Sequence, residues 1–135
     1  MAKVLVAEDR SDMRDLIIGE VQGSSQGHRV DGVSDGEEAL KALQRGVYTA
    51  VITDLEMDTS DAGIEVALAA LKNGIDPSHI CIATGAQLPG NDPAGDSPLQ
   101  SKLRDLSAQG IPLFRKPEDV TGAGFAAFLA SLPQN

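Results

Sequence analysis

Acidic side chains crowd one short stretch, VITDLEMD, from Val51 to Asp58. Val51 and Ile52 are β-branched and read as a buried strand, yet Asp54, Glu56 and Asp58 follow within five positions. An isolated buried charge is costly, so a carboxylate in that place must be hydrated, paired or bound to a metal. Three other apolar runs also end in polar side chains. KVLVA runs into Glu8-Asp9, ICIA into Thr84, and Ile111–Phe114 is followed shortly by Lys116-Pro117. If the strands lie parallel, these ends meet, bringing three carboxylates, a hydroxyl and an ammonium into one cleft. Clustered carboxylates repel, and a hard divalent cation such as Mg²⁺ relieves that repulsion through oxygen ligands. A carboxylate can also be a nucleophile that forms an aspartyl phosphate. Lys116 and a metal would neutralise charge, while Thr84 would donate to a phosphoryl oxygen.

The elements needed to align those ends are legible in the pattern. Apolar runs at Lys3–Ala7, Arg29–Val33, Ala50–Thr53, His79–Ala83 and Ile111–Phe114 predict five strands. Helical spacing joins Met13, Leu16, Ile17 and Val21, with Ser11 and Asp12 as candidate caps. It recurs in Ala39, Leu40 and Leu43, with Gly46 as a stop, and in Ile64, Leu68, Leu71 and Ile75. A helix is expected near Leu99–Ala108, and a last one carries Phe125, Phe128, Leu129 and Leu132. Strands alternating with helices predict an α/β fold, a doubly wound, five-stranded parallel sheet with five surrounding helices. Such sheets place ligands at the carboxyl ends of their strands. Gly23–Gly27 reads as a break. Gly85–Pro98 holds three Gly and three Pro in 14 residues, so it reads as a long loop.

Composition removes several function classes. The chain has 135 residues, the size of one domain, so 1–135 is read as a single unit with its loop at 85–98. A net charge of −9 lacks the basic footprint of a nucleic-acid binder, and three Phe, one Tyr and no Trp give no stacking platform. No apolar run reaches the roughly 20 residues of a membrane span. The single cysteine, Cys81, sits between Ile80 and Ile82 and reads as core. It excludes an internal disulfide and fits a reducing, cytoplasmic compartment. His28 and His79, at predicted strand starts away from the cleft, are expected on the surface. So are the side chains of Glu56 and Asp58, as solvated loop charges.

With these residues in order, the chain resembles the receiver domain of two-component response regulators. KVLVAEDR resembles the first strand with its acidic pair, VITDLEM the third with its phosphoacceptor, ICIATGA the fourth with its Thr, and PLFRKP the fifth with its Lys-Pro. DGEEAL after the second strand also matches. The resemblance covers about residues 2–132 and implies the flavodoxin-like receiver fold. It implies that Asp54 accepts a phosphoryl group from a phosphohistidine on a sensor histidine kinase or a histidine phosphotransfer protein. It further implies that Glu8 and Asp9 help Asp54 bind Mg²⁺, Asp9 more directly, with the backbone carbonyl of Glu56 completing the site; Mn²⁺ is the alternative ion. Thr84 and Lys116 would engage the phosphoryl group, and the Lys116–Pro117 bond would be cis. The chain closes after the fifth helix, so a stand-alone phosphoacceptor module is expected rather than an enzyme. Its output would pass to a downstream protein, from a monomer or a phosphorylation-dependent dimer.

Several positions depart from the commonest receiver. Asp58 replaces a Pro four residues after the phosphoacceptor, and Asp61-Ala62-Gly63 lengthens the following step by one. The segment between Thr84 and Lys116 is long, and Leu113 takes the place of a switch aromatic, with Phe114 pointing to the other face. These departures suggest output through the 85–98 loop and the helix after it. Two further readings compete: a receiver that binds partners without being phosphorylated, and a phosphohydrolase using Asp54. The latter lacks the second Asp two residues on, where Glu56 stands, and AEDRSDM after the first strand has no glycine cradle for a nucleotide.

Overall fold

The computed structural model describes residues 2–24 and 27–133. Ser25 and Gln26, in the middle of the predicted break, lie outside the described residues. The elements run β1 (Lys3–Ala7), α1 (Ser11–Gln22), β2 (Arg29–Val33), α2 (Gly36–Leu43), β3 (Ala50–Thr53), α3 (Ala62–Lys72), β4 (Ile80–Thr84), α4 (Pro98–Ala108), β5 (Leu113–Arg115) and α5 (Ala123–Ala130). Every strand pair is parallel, in the order β2-β1-β3-β4-β5. The expected doubly wound sheet is therefore present, with its order reversing beside β1 and β3, where such folds bind ligands.

Strand alternation divides the core. Leu5, Ala7, Val51, Ile80 and Ile82 face α2, α3 and α4 together with Leu43, Val66, Leu103 and Leu106. Val4, Val6, Ala50, Ile52, Cys81 and Ala83 face α1 and α5 with Ile17, Val21, Phe125 and Phe128. Both faces of β1, β3 and β4 are covered, so these strands carry continuous apolar runs. Phe114 packs edge-on against Phe125, 5.4 Å between ring centroids, while Leu113 joins the opposite cluster. That is the alternation expected of them.

Several local expectations need correction. Ser11 and Asp12 do not cap α1: Ser11 is already helical, and Arg10 stands at the cap without a side-chain bond. The last strand starts two residues late, at Leu113, because Ile111-Pro112 leads into it and Pro112 has no N–H for a ladder. Leu132 is buried but lies past the end of α5. His28 is buried rather than exposed. Its Nδ1 accepts from the Ala2 N–H at 3.1 Å, and its Nε2 lies 3.2 Å from the Leu129 carbonyl. One imidazole thus satisfies two backbone groups from opposite ends of the chain.

Candidate functional site

The backbone ladder extends past the strands and carries the polar strand-end residues with it. Asp54 N–H donates to the Ala7 carbonyl at 2.8 Å, Glu8 N–H to Val33 at 3.1 Å, and Lys116 N–H to Thr84 at 2.9 Å. Since Ala7 is in register with Thr53, and Thr84 with Arg115, the chemistry-bearing residues leave the sheet side by side. The structure brings Glu8, Asp9, Asp54, Thr84 and Lys116 together as expected. Asp54, Thr84 and Lys116 line a cleft of about 260 Å³ together with Glu56, Ala86, Arg10 and Met13, while Glu8 and Asp9 stand beside it against Asp54 and Lys116.

Oxygens of Glu8, Asp9 and Asp54 all lie within 4.8 Å of one another. Glu8 is fully buried, Asp54 nearly so, and Asp9 exposed. Lys116, itself 9% exposed, hydrogen-bonds Glu8 and stands 3.0 Å from Asp54 Oδ2. The other Asp54 oxygen accepts from the Leu55 N–H at 2.7 Å. Burial pushes the Glu8 carboxyl up to about 7. The Lys116 hydrogen bond pulls it down, while the charge of Asp54 adds to the rise. Thr84 Oγ1 accepts from the Ala86 N–H at 3.0 Å, which leaves its own proton for a group in the cleft. The Lys116–Pro117 bond is cis, as expected.

The donor set suits a hard cation. Three carboxylate oxygens converge beside one lysine, so the site collects more negative than positive charge, and all its donors are oxygen. Asp9 and Asp54 present the more accessible oxygens. Glu8 is held back by Lys116 and by the Arg10 N–H, 3.3 Å from its Oε2.

Further contacts also shape the site. Arg14 donates to the Glu8 carbonyl at 2.9 Å, fixing the turn out of β1. Arg10 adds a cation to the cleft wall. Gly63 donates to the Leu55 carbonyl at 2.8 Å, and a Cβ there would fall 2.0 Å from the Asp54 carbonyl oxygen. The lengthened loop thus closes onto the Asp54 backbone through a glycine. Asp58 is exposed but not merely solvated: its Oδ1 accepts from the Gly36 N–H at 2.9 Å, which lowers its carboxyl pKa and ties this loop to α2. Arg104 grips the 85–98 loop through two bonds to Asp96, at 2.6 and 2.9 Å, and one to the Gly90 carbonyl at 2.7 Å. A capping box between Ser97 and Gln100 starts α4. The S-x-x-Q spacing was the available signal for that cap; nothing local announces the contacts of Gly63 or Arg104.

No family model matches the chain. Among curated proteins it is 31% identical over 128 residues to the transcriptional regulatory protein TcrA of Mycobacterium tuberculosis, covering 85% of this chain and 49% of that one. It is 28% identical over 98 residues to a protein-glutamate methylesterase/protein-glutamine glutaminase of Azospirillum brasilense, covering 62% and 25%. The chain thus spans about half the length of TcrA, or less in the second case. Solved structures that resemble it include the chemotaxis response regulator CheY4 of Vibrio cholerae, at TM-score 0.64 and 23% identity over 96% of this chain and 93% of that one. The Francisella response regulator 1452 receiver domain matches at TM-score 0.67 and 20% identity over 96% and 94%. A response regulator receiver protein from Sinorhizobium medicae gives 0.67 and 20% over 96% and 95%. The chain has the receiver fold of the response regulators.

Proposed function

We propose that this chain, built on the receiver fold, is a phosphoacceptor module in which Asp54 takes a phosphoryl group from a phosphohistidine. The observation that carries the reading is that Asp54, Lys116 and Thr84 line one cleft, with carboxylate oxygens of Glu8 and Asp9 within 4.8 Å of those of Asp54. Asp54 attacks the phosphorus, an O–P bond forms, the P–N bond breaks, and the histidine ring leaves with the nitrogen electron pair. Lys116, already 3.0 Å from Asp54, neutralises charge on the transferring oxygens, and Thr84 donates its free proton to one of them. Leu55 N–H holds the second carboxylate oxygen and so orients the nucleophile. Asp9 and Asp54, with Glu8 behind them and the Glu56 carbonyl, would hold Mg²⁺ or Mn²⁺. When bound, the ion screens the carboxylates and neutralises charge on the transferred group.

The donor in this reading is a sensor histidine kinase or histidine phosphotransfer protein in the cytoplasm, and the module signals through a downstream protein. Leu113 has no ring to reorient, so the output segment we assign is the 85–98 loop held on α4 by Arg104. Incubation with acetyl phosphate and Mg²⁺ followed by intact-mass spectrometry tests the reading. One Mg²⁺-dependent phosphoryl adduct, lost in Asp54→Asn, is expected. An adduct that persists in that variant refutes the assignment of Asp54.

A further inference from the structure

A second feature lies away from the strand ends, between two helices. Between α3 and α4 runs an open groove of about 430 Å³. Its floor is aliphatic: Ile64 and Leu106 are buried, and Leu68 stands 49% exposed at its lip. Ile64 and Leu68, four residues apart on α3, form a stripe along the helix axis. The rim is acidic. Asp61, Glu65 and Asp105 border it against a single cation, Lys102, which is paired with Asp61 at 3.6 Å.

We infer that this groove docks an amphipathic helical segment of a partner protein, its aliphatic residues at helical spacing flanked by Lys or Arg. The stripe fits the aliphatic face of a helix laid in a groove. The surplus of rim carboxylates selects basic flanks, which also replace Lys102 at Asp61. The same charge argues against the other occupants. A second copy of a chain with net charge −9 would set acidic rim against acidic rim, and anionic lipid or nucleic acid would be repelled.

The test is an NMR titration of the ¹⁵N-labelled protein with a synthetic helical peptide of Leu and Lys in an amphipathic pattern. A Leu/Glu peptide of the same pattern serves as the comparison. Shifts confined to α3 and α4 around Ile64, Leu68 and Leu106 are expected for the basic peptide alone. Leu68→Lys, at an exposed site that folding tolerates, should weaken binding about tenfold by removing apolar contact and adding like charge. Absence of shifts at millimolar peptide, shifts elsewhere, equal binding of the acidic peptide, or no effect of Leu68→Lys overturns the inference. So does a dimer of the free protein that Leu68→Lys disperses on sedimentation, because that assigns the groove to a second copy.

Discussion

Replacing Gly63 by alanine should disturb Asp54 through the backbone alone. An added Cβ would stand 2.0 Å from the Asp54 carbonyl oxygen and 2.7 Å from the Leu55 Cα. An ordinary contact needs about 3.4 Å, so the first turn of α3 must retreat by about 1.4 Å. That movement breaks the 2.8 Å bond from Gly63 N–H to the Leu55 carbonyl. Overpacking costs about 1–3 kcal/mol and a lost buried hydrogen bond about the same, while alanine's helix preference returns about 1 kcal/mol. The net loss is about 1–5 kcal/mol. With an unfolding entropy of about 2.1 cal/mol/K per residue over 135 residues, each kcal/mol shifts Tm by about 3.5 °C. Gly63→Ala should therefore melt about 4–18 °C lower by calorimetry. Gly19→Ala supplies the opposite sign. Gly19 is exposed inside α1 with nothing within 4 Å of its added Cβ, so that variant should melt about 2–4 °C higher. A displaced Asp54 should also take up phosphoryl groups from acetyl phosphate roughly tenfold more slowly or worse. Equal Tm shifts for the two variants, or a Gly63→Ala protein that melts like the parent, would refute the close approach of α3 to Asp54.

Three further outcomes follow from contacts elsewhere. Tyr48 is the only tyrosine, and there is no Trp, so its ionisation reads cleanly by ultraviolet absorbance. Burial, then the hydrogen bond to Asp31 at 2.6 Å, raises its pKa to about 12. The folded value lies above the unfolded one of about 10, so its stabilising contribution is full below pH 10 and is lost as pH rises towards 12. Asp31→Asn should lower the midpoint, and an unchanged midpoint contradicts the contact. Arg104→Ala should speed amide exchange across residues 90–96 while leaving Tm within about 2 °C, because loop ordering is local. The Arg104 hydrogen bonds hold the Asp96 carboxyl below its usual range. The parent loop should therefore loosen as pH falls below about 4, through the lowered Asp96 value, and exchange unaltered by acid would contradict this. His28→Phe should destabilise by about 2–4 kcal/mol, since the Ala2 N–H and Leu129 carbonyl lose their partner; denaturant unfolding measures it.

The sheet and the strand-end cluster were legible because both depend on local pattern. Apolar runs mark β1, β3 and β4, and parallel register then brings Glu8-Asp9, Asp54, Thr84 and Lys116 to one edge. His28 was misread as surface because its burial comes from Leu129, about a hundred residues away. Gly63 carried no local sign of its role, since the constraint is the approach of α3 to Leu55 across the loop. Asp58 looked like a solvated acid, and only the placement of α2 supplies the Gly36 N–H that it binds. Arg104 was invisible for the same reason: its partners Asp96 and Gly90 lie on a loop whose path the sequence leaves open.

The most direct measurement of the central claim is to locate the phosphoryl group. The chain has 20 acidic residues, so adduct mass alone does not identify the acceptor. Borohydride reduction of the phosphorylated protein converts an aspartyl phosphate to homoserine, which peptide sequencing by mass spectrometry can place. Homoserine at position 54 alone is the predicted result. Homoserine at Asp9 or elsewhere, with Asp54 unmodified, would contradict the account.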